Sequence, residues 1–236
     1  MRTTLLLLMA GAALSATPAF AQREVQAANA NPFDQTLMAN AVRSGSDDKD
    51  DKDDTAPKID PLAAQAIYNF AGCVVEISRP GAVKLLSKDY RSKDYQEDIR
   101  KIAKGHERCA PNSKLGFSGL VFAGNLAEHL LADQFTDAAL ATDLGRDRTA
   151  TPITARGTLE TISMCIVMSA PQQSVALFDT EVMSDAERDA MKALAPQLSA
   201  CIRQGTEFRT NRVGLRALMA LAAYRVAVTS KEGSAG

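Results

Sequence analysis

Ile67-Tyr68-Asn69-Phe70-Ala71-Gly72-Cys73-Val74 and Leu159-Glu160-Thr161-Ile162-Ser163-Met164-Cys165-Ile166 lie 92 residues apart, and reading one against the other decides the fold. At that offset Ile67, Phe70 and Val74 fall on Leu159, Ile162 and Ile166, and Cys73 falls on Cys165. Cys109 then falls on Cys201, so each cysteine has a mate 36 residues away. Farther out, Ser92 matches Ser184, Ala103 matches Ala195, Ser118 matches Thr210, Val121 matches Val213 and Leu126 matches Leu218. Pro80 misses Pro171 by one position, as a single insertion would leave it. The pattern reads as an old internal duplication whose apolar positions, helix starts and cysteines persist.

Each copy reads as helices. Asp60 precedes Pro61 as an N-cap precedes the first helical residue. Ile67, Phe70, Val74 and Ile77 then recur at helical spacing. Ser78 or Arg79 should end this helix, and Pro80 should open a short one carrying Val83, Leu85 and Leu86. Ser92 should cap a third, with Tyr95, Ile99, Ile102, His106 and Cys109 inward, and Ser118 a fourth, with Leu120, Val121, Leu126, Leu130 and Leu131. The second copy repeats the order. Leu159, Ile162 and Ile166 mark its first helix, and Pro171 to Phe178 its second. Ser184 with Glu187 forms a capping box ahead of Met191, Leu194, Leu198 and Cys201. Asn211 or Thr210 opens a last helix through Val228. Alternating β-branched runs are short. The expected fold is all-α: two tandem disulfide-stapled four-helix units over 60–133 and 153–229, a linker over 134–152 and a fraying tail over 230–236.

The N-terminal region reads differently. Arg2, the apolar run from Leu5 to Leu14, Pro18 and Ala19-Phe20-Ala21 have the order of an export signal cleaved after Ala21. The run is too short to span a bilayer as a helix. Residues 22–58 read as a disordered acidic linker, because Asp47 to Asp54 is six aspartates and two lysines with nothing to bury. Calcium binding through an EF-type loop is excluded, since Lys52 and Lys58 stand where glycine and glutamate are needed. Removing Arg2 leaves 26 basic against 28 acidic residues, a net charge of −2 that argues against general nucleic-acid binding. Four cysteines in an exported chain should be oxidised. A duplicated unit most simply keeps its own bond, giving Cys73–Cys109 and Cys165–Cys201.

Catalytic motifs are scarce. His106 and His129 fall on Leu198 and Leu221 in the other copy, which favours packing roles over zinc. The cysteine pairs lack both the spacing of zinc sites and the Cys-x-x-Cys of redox sites. Leu115-Gly116-Phe117-Ser118-Gly119 is no nucleophile elbow, and no Gly-rich phosphate loop occurs. The sharpest candidate is basic. Arg209, Arg212 and Arg216 share one side at the start of the last helix, with Arg203 just before, so a phosphate or carboxylate could meet arginines and free backbone N–H groups together. Lys101, Lys104, Arg108 and Lys114 lie near the equivalent junction of the first copy. Solvated arginines paired with Glu207 or nearby acids are the competing reading.

Cys165-Ile166-Val167, then Ala193 to Cys201 followed by Gln204-Gly205, then Gly214-Leu215-Arg216-Ala217-Leu218 and Ala223-Tyr224-Arg225 resemble a family of exported helical proteins of alphaproteobacteria, sphingomonad type. The likeness covers most of 153–229 well and 60–133 more loosely, where Gly105-His106-Glu107-Arg108-Cys109 departs from the family's apolar approach to the cysteine. It implies a signal peptide and paired cysteines in helical repeats, and brings no established activity. The expectation is a periplasmic or secreted, non-catalytic binding or interaction module without cofactor. Its partner would be acidic or a small anionic ligand, and neither nucleic acid nor a membrane span is expected. The alternative is an enzyme with dispersed active-site residues and no local motif.

Overall fold

The Asp60 carboxylate accepts a hydrogen bond from the Leu62 N–H and Pro61 follows with φ already set, so the first helix starts there. In this computed structural model, which describes residues 60–110, 117–149, 152–204, 206 and 208–234, helix α1 spans Pro61–Leu86. The two helices expected on either side of Ser78 are present and meet at a kink at that residue within this span. Ser78 leaves helical geometry (φ −139°, ψ 49°), because Pro80 cannot donate a hydrogen bond and crowds the turn before it. Helix α2 (Lys93–Gly105) is capped by the Ser92 hydroxyl and continues into a single 3₁₀ turn, Glu107–Cys109. Ser118 caps α3 (Gly119–Gln134), and Thr136 caps α4 (Asp137–Leu144). The second half contains α5 (Thr158–Ser169), α6 (Pro171–Phe178), α7 (Asp185–Ala193), α8 (Ala195–Cys201) and α9 (Arg212–Ser234). Among the described residues every regular element is helical.

Three segments differ from the sequence reading. The stretch 134–152 is not all linker: α4 lies inside it, buries Leu140 and Leu144, and packs on α6 and α9. The single helix expected from Ser184 to Cys201 is two, broken at Leu194 because Pro196 sits in the first turn of α8. The tail from Ser230 does not fray at once, since α9 extends to Ser234. The export signal and the acidic linker lie outside the described residues, as do Lys114 and Glu207.

Element boundaries keep the offset of 92. Helices α1 and α6 end at Leu86 and Phe178, and α2 and α7 begin at Lys93 and Asp185. The 3₁₀ turn and α8 end at Cys109 and Cys201. Ala170 (φ −135°, ψ 59°) breaks the path between α5 and α6 at the position of Ser78, in nearly the same conformation. Helix α4 has no counterpart among the described residues.

Both disulfides form as expected. Cys73 pairs with Cys109 and Cys165 with Cys201, each with Cα atoms 5.7 Å apart. In the chain-entropy account, closing a 36-residue separation contributes about 3.8 kcal/mol per bond.

One apolar core runs through both halves, from Phe70 and Val74 on α1 through Phe122 and Leu126 on α3 to Ile166 on α5 and Met219 on α9. The central pair is α3 against α9. A Cβ at Gly124 would stand 2.4 Å from the Ala217 Cα, so glycine is what lets these two backbones cross so closely. No single described helix is long and apolar enough to cross a membrane.

Candidate functional site

The crossing of α3 and α9 puts Arg216 inside the protein, with its side chain 2% exposed. Its Nε and Nη2 donate to the two carboxylate oxygens of Glu128 on α3, at 2.9 and 2.6 Å. Nη1 donates to Glu187 Oε1 on α7 and to the Thr180 hydroxyl, both at 3.0 Å. Nη2 also donates to the carbonyls of Phe178 and Thr180, at 3.2 and 2.8 Å. A guanidinium with its donors engaged and two buried carboxylates around it is satisfied. Burial alone would weaken its hold on the proton, but the hydrogen bond and charge of Glu128, then the charge of Glu187, raise its pKa above the ordinary arginine value.

Glu187 shows why the local sequence builds this site. Ser184 accepts from the Glu187 N–H at 3.1 Å, as a capping box requires. The Glu187 carboxylate reaches back one residue farther than expected, to the Met183 N–H at 3.0 Å, and Met183 takes a left-handed φ of 65° to present it. Arg212 sets its Nε 2.7 Å from Glu187 Oε2, yet this N–H is not aligned for a hydrogen bond, so the contact is one of charge. Two arginines thus face two glutamates.

Tyr68 closes the site from α1. Its ring centre lies 5.9 Å from the Arg216 Cζ and stacks at 4.3 Å on His129. Burial, then the neighbouring charge of Glu128, pushes the Tyr68 hydroxyl well above the usual phenol range. His129 donates from Nε2 to the Tyr68 carbonyl at 3.0 Å, and burial pulls its pKa down.

The same place in the other half is built from other residues. Tyr68, Thr180 and Glu187 surround Arg216. At the offset of 92 they correspond to Glu160, Lys88 and Tyr95, which line a cavity of about 10 Å³. The counterpart of Arg216 is Gly124, which lies against Ala217 and does not line this space. Arg156 enters instead, donating to the carbonyls of Lys88 at 2.7 Å and Ser87 at 3.3 Å. Buried Glu160 accepts from Arg225 and from the Arg156 backbone N–H. Burial raises the pKa of both Tyr95 and Tyr224. The space admits a water molecule at most.

The structure does not gather the four arginines singled out from sequence into one anion surface. Arg216 points inward and already holds two carboxylates; Arg212 is mostly covered beside the same Glu187. Arg203 and Arg209 remain on the surface. A helical face tells which arginines share a side, but the packing of α9 on α3 turned that side inward. His106 is also corrected: it is half-buried, ends α2, and donates from Nδ1 to the Ile102 carbonyl at 2.8 Å. Among the described residues no set of three or more His, Cys, Asp or Glu is placed to hold a metal ion.

Surface cations are distributed unevenly. On α7, Arg188 and Lys192 pair with Asp185 and Asp189. On α2, Lys101 pairs with Glu97 and Asp98, and Lys88 with Asp98. Arg100, Lys104 and Arg108 stand exposed at four-residue intervals along α2 and its 3₁₀ turn, and no acid among the described residues pairs with them. Glu107 is the exposed acid beside Arg108.

No protein-family model matches this chain, and no curated protein or solved structure shows significant similarity to it. Fold and site define it as an all-helical protein carrying two disulfides. Disulfides of this kind fit an oxidising compartment.

Proposed function

We propose that this chain is an exported, non-catalytic helical module that binds a polyanionic partner through the basic row Arg100, Lys104 and Arg108. The carrying observation is that the frame does not need these cations. At the offset of 92 the row meets Lys192, Pro196 and Ala200, and α8 forms with neither basic residue at the last two positions. Three exposed cations that no acid among the described residues pairs with offer an opposite-charged partner a site at low desolvation cost. Arg216 offers no such site, because internal carboxylates occupy it.

The signal-like N-terminus, the two disulfides and the resemblance to exported alphaproteobacterial proteins support a periplasmic or secreted location. The matching element boundaries and matching breaks at Ser78 and Ala170 support descent by duplication of one stapled unit. Titration with poly-glutamate and with phosphatidylglycerol vesicles, at low and high salt, tests the function and separates carboxylate from phosphate partners. Binding should fall with salt and disappear in the triple variant Arg100→Ser, Lys104→Ser, Arg108→Ser. Equal binding by that variant rules the reading out. Mass spectrometry of protein recovered from the periplasm should give a chain beginning at Gln22 with no free thiol.

A further inference from the structure

The connection between α6 and α7 holds a backbone outlier. Met183 has a φ of 65°, the one positive value at a non-glycine residue among the described residues. A bulky side chain in this region is strained, and strain of this kind collects at sites with a task. Two groups hold the residue in place. Its N–H donates to Glu187 at 3.0 Å, and its sulfur accepts from Arg212 Nη2 at 3.3 Å. The first half keeps the frame without this pair. At the offset of 92, Met183 falls on Arg91, which pairs with Asp89, and Arg212 falls on Leu120. A thioether is a weak acceptor, so a charged donor is poorly matched there. The Nε of the same guanidinium is buried and has no hydrogen bond. An oxygen on the sulfur would supply the acceptor this guanidinium lacks.

The geometry points to Met183 as a modification site, oxidised by a peroxide to methionine sulfoxide and held in that form by Arg212. The sulfur lone pair attacks one peroxide oxygen, the O–O bond breaks and the S–O bond forms. Sulfur gives up two electrons. Hydrogen peroxide, the simplest member of the class, takes them, and its second oxygen leaves as water with the proton of the transferred one. Negative charge develops on oxygen during the transfer, and Arg212 stands where it can stabilise that charge. Inside a core the polar sulfoxide disrupts packing. Here Met183 is half-buried against the cluster Ala64, Ile67, Val121, Val182 and Val213, with a cation already on its sulfur. The folded state therefore accommodates both forms of the side chain, and methionine sulfoxide reductases can return the first. The basic row plays no part in this.

Treatment of the full chain with hydrogen peroxide, followed by peptide mapping over time, tests the site. Met183 should gain one oxygen severalfold faster than Met168 and Met191, which are also half-buried. Met164 and Met219, buried in the core, should follow last. Oxidation of Met168 or Met191 at the same rate or faster overturns the inference. Protein oxidised at Met183 should melt where untreated protein melts. The guanidinium protons of Arg212 should shift in the NMR spectrum and exchange more slowly with solvent. A lowered melting temperature, or unmoved Arg212 resonances, overturns the inference as well. In Arg212→Leu, Met183 should oxidise no faster than Met191, and its oxidation should lower the melting temperature relative to the untreated variant. Oxidation as fast and as harmless as in the wild-type chain would show that Arg212 does not hold the oxygen. Should that variant not fold, the wild-type rates, melting temperature and resonances decide the matter.

Discussion

Replacing Arg216 by methionine keeps much of the side-chain volume but strands Glu128 and Glu187 inside the protein, where their side chains are 3% and 0% exposed. Breaking a buried pair from one side costs about 3–5 kcal/mol, so chemical denaturation of Arg216→Met should show a loss of that size. Removing the stranded charges as well, with Glu128→Gln and Glu187→Gln, should recover part of it, because the cost lies in unpaired burial. Nearby, His129 gives a pH dependence. Burial lowers its folded pKa below the unfolded value of about 6.5, so the unfolded chain takes up the proton first as pH falls. The stability tied to neutral His129 is fully present above about pH 6.5 and is lost as pH drops through the lower folded value. Tyr68 packs on this ring and Glu128 lies beyond it, while Glu76 and Arg216 also act on it electrostatically. In His129→Leu the slope of stability against pH just below about 6.5 should flatten, and an unchanged slope would assign it to the carboxylates. The inward position of Arg216 had a weak trace in the sequence: it sits in Leu215-Arg216-Ala217-Leu218-Met219, as Glu128 sits in Leu126-Ala127-Glu128-His129-Leu130. A base in one apolar run and an acid in another can pair only if the two helices meet there, and that meeting is 88 residues of chain apart.

Among the elements, the central crossing of α3 and α9 depends on a missing side chain. Gly124→Ala would place a Cβ 2.4 Å from the Ala217 Cα and 2.7 Å from its carbonyl oxygen, both backbone atoms that cannot rotate away. Overpacking of this kind costs about 1–3 kcal/mol, and here the two helices must separate to relieve it. Gly124→Ala should lower the melting temperature, whereas Gly105→Ala, where an added Cβ meets nothing, should not. Most helix starts were legible because caps are local: Asp60, Ser92, Ser118 and Ser184 each accept the hydrogen bond their position implies. The disulfide pairing was legible because two equal separations suggest two equal closures. Breaks inside elements were legible in part. The break at Ser78 ahead of Pro80 falls where the sequence placed it, whereas the division of α7 from α8 ahead of Pro196 was not read. Helix α4 was missed because it is short and sits between polar flanks, Asp133-Gln134 and Gly145 to Arg148; it buries Leu140 and Leu144 and packs on α6 and α9.

For the whole molecule, the question is whether two stapled halves are two domains. Each half has its own disulfide, yet neither encloses a core of its own. Phe122 and Leu126 pack in one continuous cluster with Ile166 and Met219, and Arg216 of one half holds Glu128 of the other. Arg156 of the second half likewise takes the carbonyls of Ser87 and Lys88 at the end of α1. A chain link between the halves then adds loop-closure entropy but little contact energy. A specific protease site inserted between Asp147 and Arg148, in the exposed turn after α4, offers a direct measurement. The nicked protein should elute as one particle of unchanged size and keep its helical circular dichroism. It should come apart only in denaturant, at a midpoint that depends on protein concentration because unfolding has become a dissociation. Two particles of about half the mass, each still helical, would instead make the halves independent domains, and the shared buried pair of Arg216 and Glu128 would then contribute little to stability.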